Sequence, residues 1–464
     1  MASASPPLPD LDPVDKLSPY LTRILGQNPG KFTLQGTNSY LVHHPRSPSL
    51  LLVDTTGPSS SSPLSPSALA TYTAHLASAL AQHPTQPARV TDVVLTHWHG
   101  DHVRALAHTL EALARAREGG APPRVWKVPC AAAGDDAKGV WASERGKDAE
   151  IEQELERAVR EGWVEPAQGV AREGEDEGDG TGVRGGATRA VRPLVDGQRF
   201  ALGGAERSGS TGADDGDDGP VQLEVVHTPG HTSDSVCLVL RRSDPSSSTA
   251  ASRASAPPPL ALLTADTILG HGSSVFGSLS AYMSSLAAIS ALLPSPSPSS
   301  SSSPGADEPS SAHKVPLYPG HGAPCDDAAS KVAEYRHHRE EREKQVVDAL
   351  RERAKEDDEA ISAGDLTSLI YPPSLPPALH PAATHSLLQH LGKLHEEGRV
   401  ERVPVAGRDE VGEGEGEGGA ARKAPVGWFD GWRSAGERGE EARVGRADEG
   451  SGAGQGGEEA AGRL

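Results

Sequence analysis

Four residues able to bind a metal or move a proton fall within six positions. They are His97, His99, Asp101 and His102, in the run Thr96-His97-Trp98-His99-Gly100-Asp101-His102. Imidazole nitrogens and carboxylate oxygens are good zinc ligands. The one-residue gap lets His97 and His99 point the same way, while Asp101 and His102 face a second position. Four ligands cannot fill two tetrahedral positions, so more must come from elsewhere. Three candidates stand at or just beyond apolar runs: His231 in His227-Thr228-Pro229-Gly230-His231-Thr232, Asp266 after Leu260 to Ala265, and His321 in Tyr318-Pro319-Gly320-His321-Gly322. In a chain with 19 histidines a lone His-X-His would mean little; the added Asp and His, placed after a strand, make it a metal motif. His227 precedes its turn and reads as a packing or hydrogen-bonding residue rather than a ligand.

The elements that must position these groups alternate strand and helix. Tyr20 to Leu25, Ser39 to His43 and Ser49 to Asp54 read as strands, the run Leu50-Leu51-Leu52-Val53 suiting one buried on both faces. Leu69, Tyr72, Leu76 and Leu80 fall on one helical stripe within 66–83. Val90 to Thr96 is a strand feeding the His cluster, and a helix is expected from Asp101 to Arg117. Strands at 124–128, 221–226 and 260–265 follow, with helices at 144–162 and 278–293 and order resuming near 194–200. Strand, helix, strand, metal loop, helix is an α/β pattern. Beyond it come a highly charged helix at 335–356 and a small helical unit, Asp365 to Val403, with Leu387, Leu388, Leu391 and Leu394 on one face and Gly398 as its C-cap.

Bulk composition limits what else the chain can be. Of 464 residues only 36% are hydrophobic and 4% aromatic, with 52 Gly and 39 Pro. That implies one sizeable core, a small accessory unit and low-complexity inserts near 131–190, 204–219, 243–259 and 294–313. Residues 1–17 and 404–464 are expected to be disordered, although Trp428, Phe429 and Trp432 interrupt the Gly/Glu-rich tail. A net charge of −20 disfavours a general nucleic-acid coat. Three scattered cysteines, Cys130, Cys237 and Cys325, argue against a disulfide framework and for a reducing, cytoplasmic setting. No apolar window is long enough for a membrane helix, and Met1 to Lys16 lacks the features of a signal or transit peptide.

The ordered set His-X-His-X-Asp-His, Gly-His-Thr, strand-end Asp and Gly-His resembles the metallo-β-lactamase superfamily. The resemblance implies an αββα sandwich over residues 18–330 and a winged-helix-like unit within 331–403. It implies two zinc ions: His97, His99 and His231 on the first, Asp101, His102 and His321 on the second, and Asp266 bridging. Asp101 would be the catalytic residue, and Asp54 would support the site from behind the ligands. Asn28-Pro29-Gly30, Thr33 to Val42, Asp266 to Gly270, Val275-Phe276, Tyr282-Met283, Tyr318 to Gly322 and His338-Arg339 with Arg342-Glu343 are similar to the lactamase-beta-2-like endoribonucleases. That branch's usual Gly-Gly after Asp-His is replaced by Arg104 and Ala105, following Val103. By the same resemblance a mitochondrial setting stands beside the cytoplasmic one.

A two-zinc site hydrolyses phosphodiesters, thioesters and lactams alike. The branch resemblance implies single-stranded RNA as substrate. Arg336, Arg339, Arg342 and Lys344 are candidate phosphate contacts, though Glu340, Glu341 and Glu343 make a solvated mixed-charge face the plainer reading. An acyl thioester is the alternative, since fungal polyketide thioesterases share the His-Trp-His and Asn-Pro-Gly features. A non-enzymatic scaffold with a decayed site is a third reading, disfavoured by seven intact candidate ligands.

Overall fold

The computed structural model describes residues 8–58, 64–117, 119–131, 141–167, 189–203, 219–243, 257–294, 314–356, 360–403 and 431–435. The chain divides into two units, Met1–Tyr335 and Arg336–Leu464. In the first unit one sheet runs in the order β1 (Val14–Ser18), β2 (Leu21–Leu25), β3 (Asn38–Val42), β4 (Ser49–Val53), β5 (Arg89–Leu95), β6 (Arg124–Lys127) and β7 (Val191–Pro193). The second sheet contains β8 (Arg199–Leu202), β9 (Val221–His227), β10 (Val236–Arg242), β11 (Pro259–Ala265) and β12 (Leu317–Pro319), in the spatial order β12-β11-β10-β9-β8.

The period of two along each strand builds three apolar layers. Leu50 and Leu52 of β4, with Val93 and Leu95 of β5, face a cluster that includes Tyr72, Leu76, Leu106, Leu110, Ile151 and Leu155. Their neighbours Leu51, Val53 and Val94 point the other way and meet Leu223, Val225, Leu238 and Leu263 of the second sheet. Cys237, Val239 and Leu262 then pack outward against Leu279, Tyr282, Leu286 and Val332. Helices therefore cover both outer faces: α1 (Pro66–Ala81), α2 (Gly100–Val103), α3 (Leu106–Ala116) and α4 (Lys147–Arg160) belong to the first sheet's side, and α5 (Leu279–Leu292) and the start of α6 (Ala328–Glu356), as far as Tyr335, to the second's. The αββα sandwich is thus what the alternation along β4, β5, β9 and β10 demands.

The second unit holds α7 (Ala363–Ile370), α8 (His380–Glu396) and a three-stranded sheet of β13 (Ile361–Ser362), β14 (Val400–Val403) and β15 (Gly431–Ser434). Gly398, directly after the C-cap Glu397, takes φ 71° and ends α8, one position beyond the cap.

Four expectations change. The N-terminal stretch to residue 17 is not wholly disordered: Val14–Ser18 pairs antiparallel with β2, and Arg23 reaches Asp15 at 3.3 Å. The tail beyond 404 is not wholly disordered either, because β15 lies between β13 and β14 and buries Trp432. The helix expected from Asp101 to Arg117 is broken at Arg104-Ala105. Asp101 O accepts from Thr37 Oγ1 (3.0 Å) and Ala105 N donates to Thr56 O (2.8 Å), so the bond that would continue the helix is diverted. Strand β10 has no counterpart in the sequence reading, although Val236 to Leu240 is an unbroken apolar run. The expected helix at 144–162 stands as α4 inside the 131–190 stretch; residues 204–218, 244–256 and 295–313 of the other inserts lie outside the described residues.

Candidate metal centre

Strands β4 and β5 run parallel in the first sheet. In the second, β9 and β11 are both antiparallel to β10, and β12 is parallel to β11. The C-terminal ends of β9, β11 and β12 therefore share an edge. Asp54, the 97–102 loop, His231, Asp266 and His321 all follow such ends. This is why residues scattered over more than two hundred positions meet.

They meet in two sets. His97 Nε2 lies 3.1 Å from His99 Nδ1, and His231 Nε2 lies 2.9 Å from the same atom. In the other set His102 Nε2 is 3.2 Å from His321 Nε2, which is 3.3 Å from Asp101 Oδ2. Asp266 reaches both: its carboxylate is 3.4 Å from His102 Nε2, 3.4 Å from His321 Nε2 and 3.7 Å from His231 Nε2. His97-His99-His231, Asp101-His102-His321 and His97-His102-Asp266 are each compact enough to hold a metal ion.

The proton bookkeeping fits a cation. His231 Nδ1 lies 2.6 Å from the carbonyl oxygen of Val275, which can only accept, so Nδ1 carries the hydrogen and Nε2 a bare lone pair. Thr96 Oγ1 donates to Asp54 Oδ2 (2.7 Å) and so accepts from His97 Nδ1 (3.0 Å), leaving His97 Nε2 bare too. Both lone pairs converge on His99 Nδ1, whose single proton can serve one of them. Asp54 also accepts from Thr96 N (2.8 Å) and His102 Nδ1 (2.8 Å), which turns His102 Nε2 into the site. An electropositive centre satisfies this arrangement; protein donors alone do not.

The surrounding charges divide the two sets. Burial, and then the neighbouring imidazoles, hold the His97 pKa well below its ordinary value. Burial and His231 bring that of His99 down to about 3. Burial also opposes protonation of His102 and His321, yet Asp266 overrides it in both: aided by Asp54 it raises His102 well above the usual range, and with Asp101 it brings His321 to about 9. The same imidazoles, against burial, keep Asp266 ionised.

The backbone is strained where it turns into the site. The described non-glycine residues with positive φ are Leu34 (55°), Asp54 (56°) and Ala265 (45°); Asp54 and Ala265 stand at the ends of β4 and β11. Gly320 is required by approach: a β-carbon there would lie 2.4 Å from Asp266 Oδ1 and 3.0 Å from His102 Cε1.

The sequence singled out the Asn28 to Val42 segment without a role for it. Asn28 Nδ2 donates to Gly57 O (2.7 Å) and Thr37 Oγ1 (2.9 Å). Asn38 Nδ2 donates to Pro319 O and Gly322 O, and Tyr40 Oη to Pro319 O. The segment thus fastens the loops that carry Asp101 and His321. Polar residues in an apolar-strand context were the available signal. Nothing local in the sequence assigns a role to Thr96, Lys127, Glu144 or Asp234. His227 stays outside both sets, its Nε2 2.8 Å from Ser233 O.

In the second unit the candidate phosphate contacts are largely engaged within the protein. Arg336 lies 3.5 Å from Glu340 and Lys344 3.6 Å from Asp348. Arg342 stacks 4.3 Å over Tyr371, and Arg339 is buried.

Residues 32–244 match the family model of the metallo-beta-lactamase superfamily, and residues 362–408 that of the beta-lactamase associated winged helix domain. This chain carries a metallo-beta-lactamase domain. A beta-lactamase-like protein 2 homolog of Caenorhabditis elegans is 28% identical over 396 residues, covering 85% of this chain and 91% of that protein. An atrochrysone carboxyl ACP thioesterase of Aspergillus chevalieri is 26% identical over 350 residues, covering 75% and 71%. Among solved structures, a beta-lactamase domain protein from Burkholderia ambifaria aligns at TM-score 0.48 with 16% identity, covering 91% of this chain and 93% of that one. The chain is a hydrolase of the metallo-beta-lactamase type. No helix among the described residues is long and apolar enough to cross a membrane.

Proposed function

We propose that the chain is a dinuclear zinc hydrolase that cleaves phosphodiester bonds of single-stranded RNA. The observation that carries the metal part is the convergence of imidazole nitrogens and carboxylate oxygens in two sets, both reached by Asp266. His97, His99 and His231 would hold one zinc, Asp101, His102 and His321 the other, with Asp266 between them. Mixed imidazole and carboxylate donors suit zinc. Two such ions make water reactive near neutral pH and offset charge on the attacked group. Asp101 is the catalytic residue in this reading: its carboxylate borders the second set and can orient the attacking water and accept its proton. Asp54 orients His102 from behind.

The RNA assignment is supported by the likeness of the 28–42 and 266–270 segments to the lactamase-beta-2-like branch and by the long reciprocal match to a beta-lactamase-like protein 2 homolog. A second reading, hydrolysis of acyl thioesters, is favoured by the named thioesterases among the relatives and by the internal pairing of Arg336 and Lys344. One assay separates them. Purified chain and an Asp101→Ala, His102→Ala double variant are offered single-stranded RNA and acyl thioesters in parallel. Cleavage of RNA that vanishes in the variant is the expected result. Thioester turnover without RNA cleavage replaces the first reading with the second, and RNA cleavage surviving in the variant sinks the site assignment.

A further inference from the structure

A second polar cluster lies outside the ligand set. Cys130, Glu144 and Asp234 bring their donor atoms together much as the ligands do. This group already contains a cation of the protein's own. Lys127 Nζ is 2.6 Å from Asp234 Oδ2, 2.7 Å from Asp148 Oδ1 and 3.3 Å from Cys130 Sγ. Burial lowers the Lys127 pKa, but Asp234, Cys130 and Asp148 together raise it above its ordinary value, so it stays charged. The cluster is therefore built to hold protein against protein.

What it holds is the turn carrying His231. Glu144 is 3% exposed; it accepts from Ser233 N at 2.9 Å and, through its other oxygen, from Ser233 Oγ. Ser233 Oγ in turn accepts from Ala131 N (2.9 Å), and Ser233 O faces His227 Nε2 (2.8 Å). Every polar atom of Ser233 is thus taken, two of them by Glu144. The next residue, Asp234, is fixed by Lys127. Two positions before Ser233 stands His231, whose ring is set by Val275 O. On the far side of the turn a β-carbon on Gly277 would lie 2.8 Å from Trp141 Cζ3 and 3.5 Å from His231 O. Ala131 and Glu144 therefore grip the His231 turn at Ser233, and Asp148 does so at Asp234 through Lys127.

We propose that Glu144 is a positioning residue for His231, acting through Ser233, and so tunes the affinity of one of the two metal positions. The inference rests on the metal-site reading above. A buried carboxylate taking both Ser233 donors fixes where the chain leaves His231, and partners beyond the ligand shell commonly change metal affinity 10- to 100-fold.

The test is zinc uptake by the full-length chain, measured by competition with a chromogenic chelator, for wild type, Glu144→Gln, Ser233→Ala and the pair. Glutamine keeps the size of Glu144 but has one acceptor oxygen in place of two, so it cannot take Ser233 N and Ser233 Oγ on separate oxygens. The expected result is two zincs in wild type. Each single variant should weaken one of them roughly tenfold or more and leave the other unchanged, and the double variant should be no worse than the singles. Ser233→Ala carries the test if Glu144→Gln does not fold. A folded variant that binds both zincs as wild type does overturns the proposal. So does an equal weakening of both, which would mark general loosening. A wild-type chain that takes up no zinc overturns the metal-site reading and this inference with it.

Discussion

His102 and His390 are both fully buried histidines, one in each unit, and their environments push them in opposite directions. His102 has Asp54 on Nδ1 and Asp266 near Nε2, and these carboxylates raise its pKa well above the ordinary value despite burial. His390, on α8, has no hydrogen-bond partner on either ring nitrogen among the described residues. Burial, with Arg339, Arg342 and Lys393 nearby, brings its pKa down to about 3. Burial alone therefore does not make a histidine functional. What distinguishes a candidate ligand is a second group that fixes one nitrogen and turns the other toward a shared point. His390 has an apolar side chain's location and a polar side chain's cost.

Four substitutions test that contrast. The largest effect is expected from His102→Ala, which should abolish zinc uptake at the second position and hydrolysis with it; metal analysis and turnover check this. Next comes Trp432→Ala, which opens the apolar core that Leu387 and Leu391 share with Trp432 on the His390 side of the comparison. It should cost about 3–5 kcal/mol in the second unit, read as an earlier denaturant transition. Asp54→Asn removes the carboxylate that sets His102 apart while keeping its shape. Zinc affinity should fall roughly 10- to 100-fold, measured by chelator competition.

The smallest effect is expected from His390→Leu, and it depends on pH. An unfolded histidine titrates near 6.5, whereas folded His390 resists a proton down to about 3. The unfolded chain thus binds more protons in that window, and stability falls as pH drops from about 6.5 toward 3. Leucine should flatten this slope and leave zinc uptake unchanged. A melting-temperature series across pH 4 to 7 checks it; an unaltered slope would show that other groups set the acid response.

Much of the site was legible because its parts lie where local pattern is strong. His97 to His102 follow the apolar strand 90–96, and Asp266 follows Leu260 to Ala265, so strand-end placement could be read directly. Glu144 could not be found this way. It sits in a short charged segment, far in sequence from Ser233, and its role exists only once the turns are adjacent. Trp432 was visible as an aromatic in a Gly/Glu-rich tail, but nothing local said that Gly431–Ser434 would pair between β13 and β14. Strand β10 was missed although its pattern was plain, and helix α2 ends early because of hydrogen bonds to Thr37 and Thr56 that no helical spacing reveals.

Residue chemistry and the periods of two and 3.6 suffice to read the candidate ligand types, the α/β alternation and the run of groups at strand ends from the chain alone. That His97, His99 and His231 meet as one set and Asp101, His102 and His321 as another, with Asp266 reaching both, is a product of the fold. That outcome depends on β9, β11 and β12 running the same way beside β4 and β5. Strand direction and sheet order arise from contacts between distant segments, which no local pattern encodes.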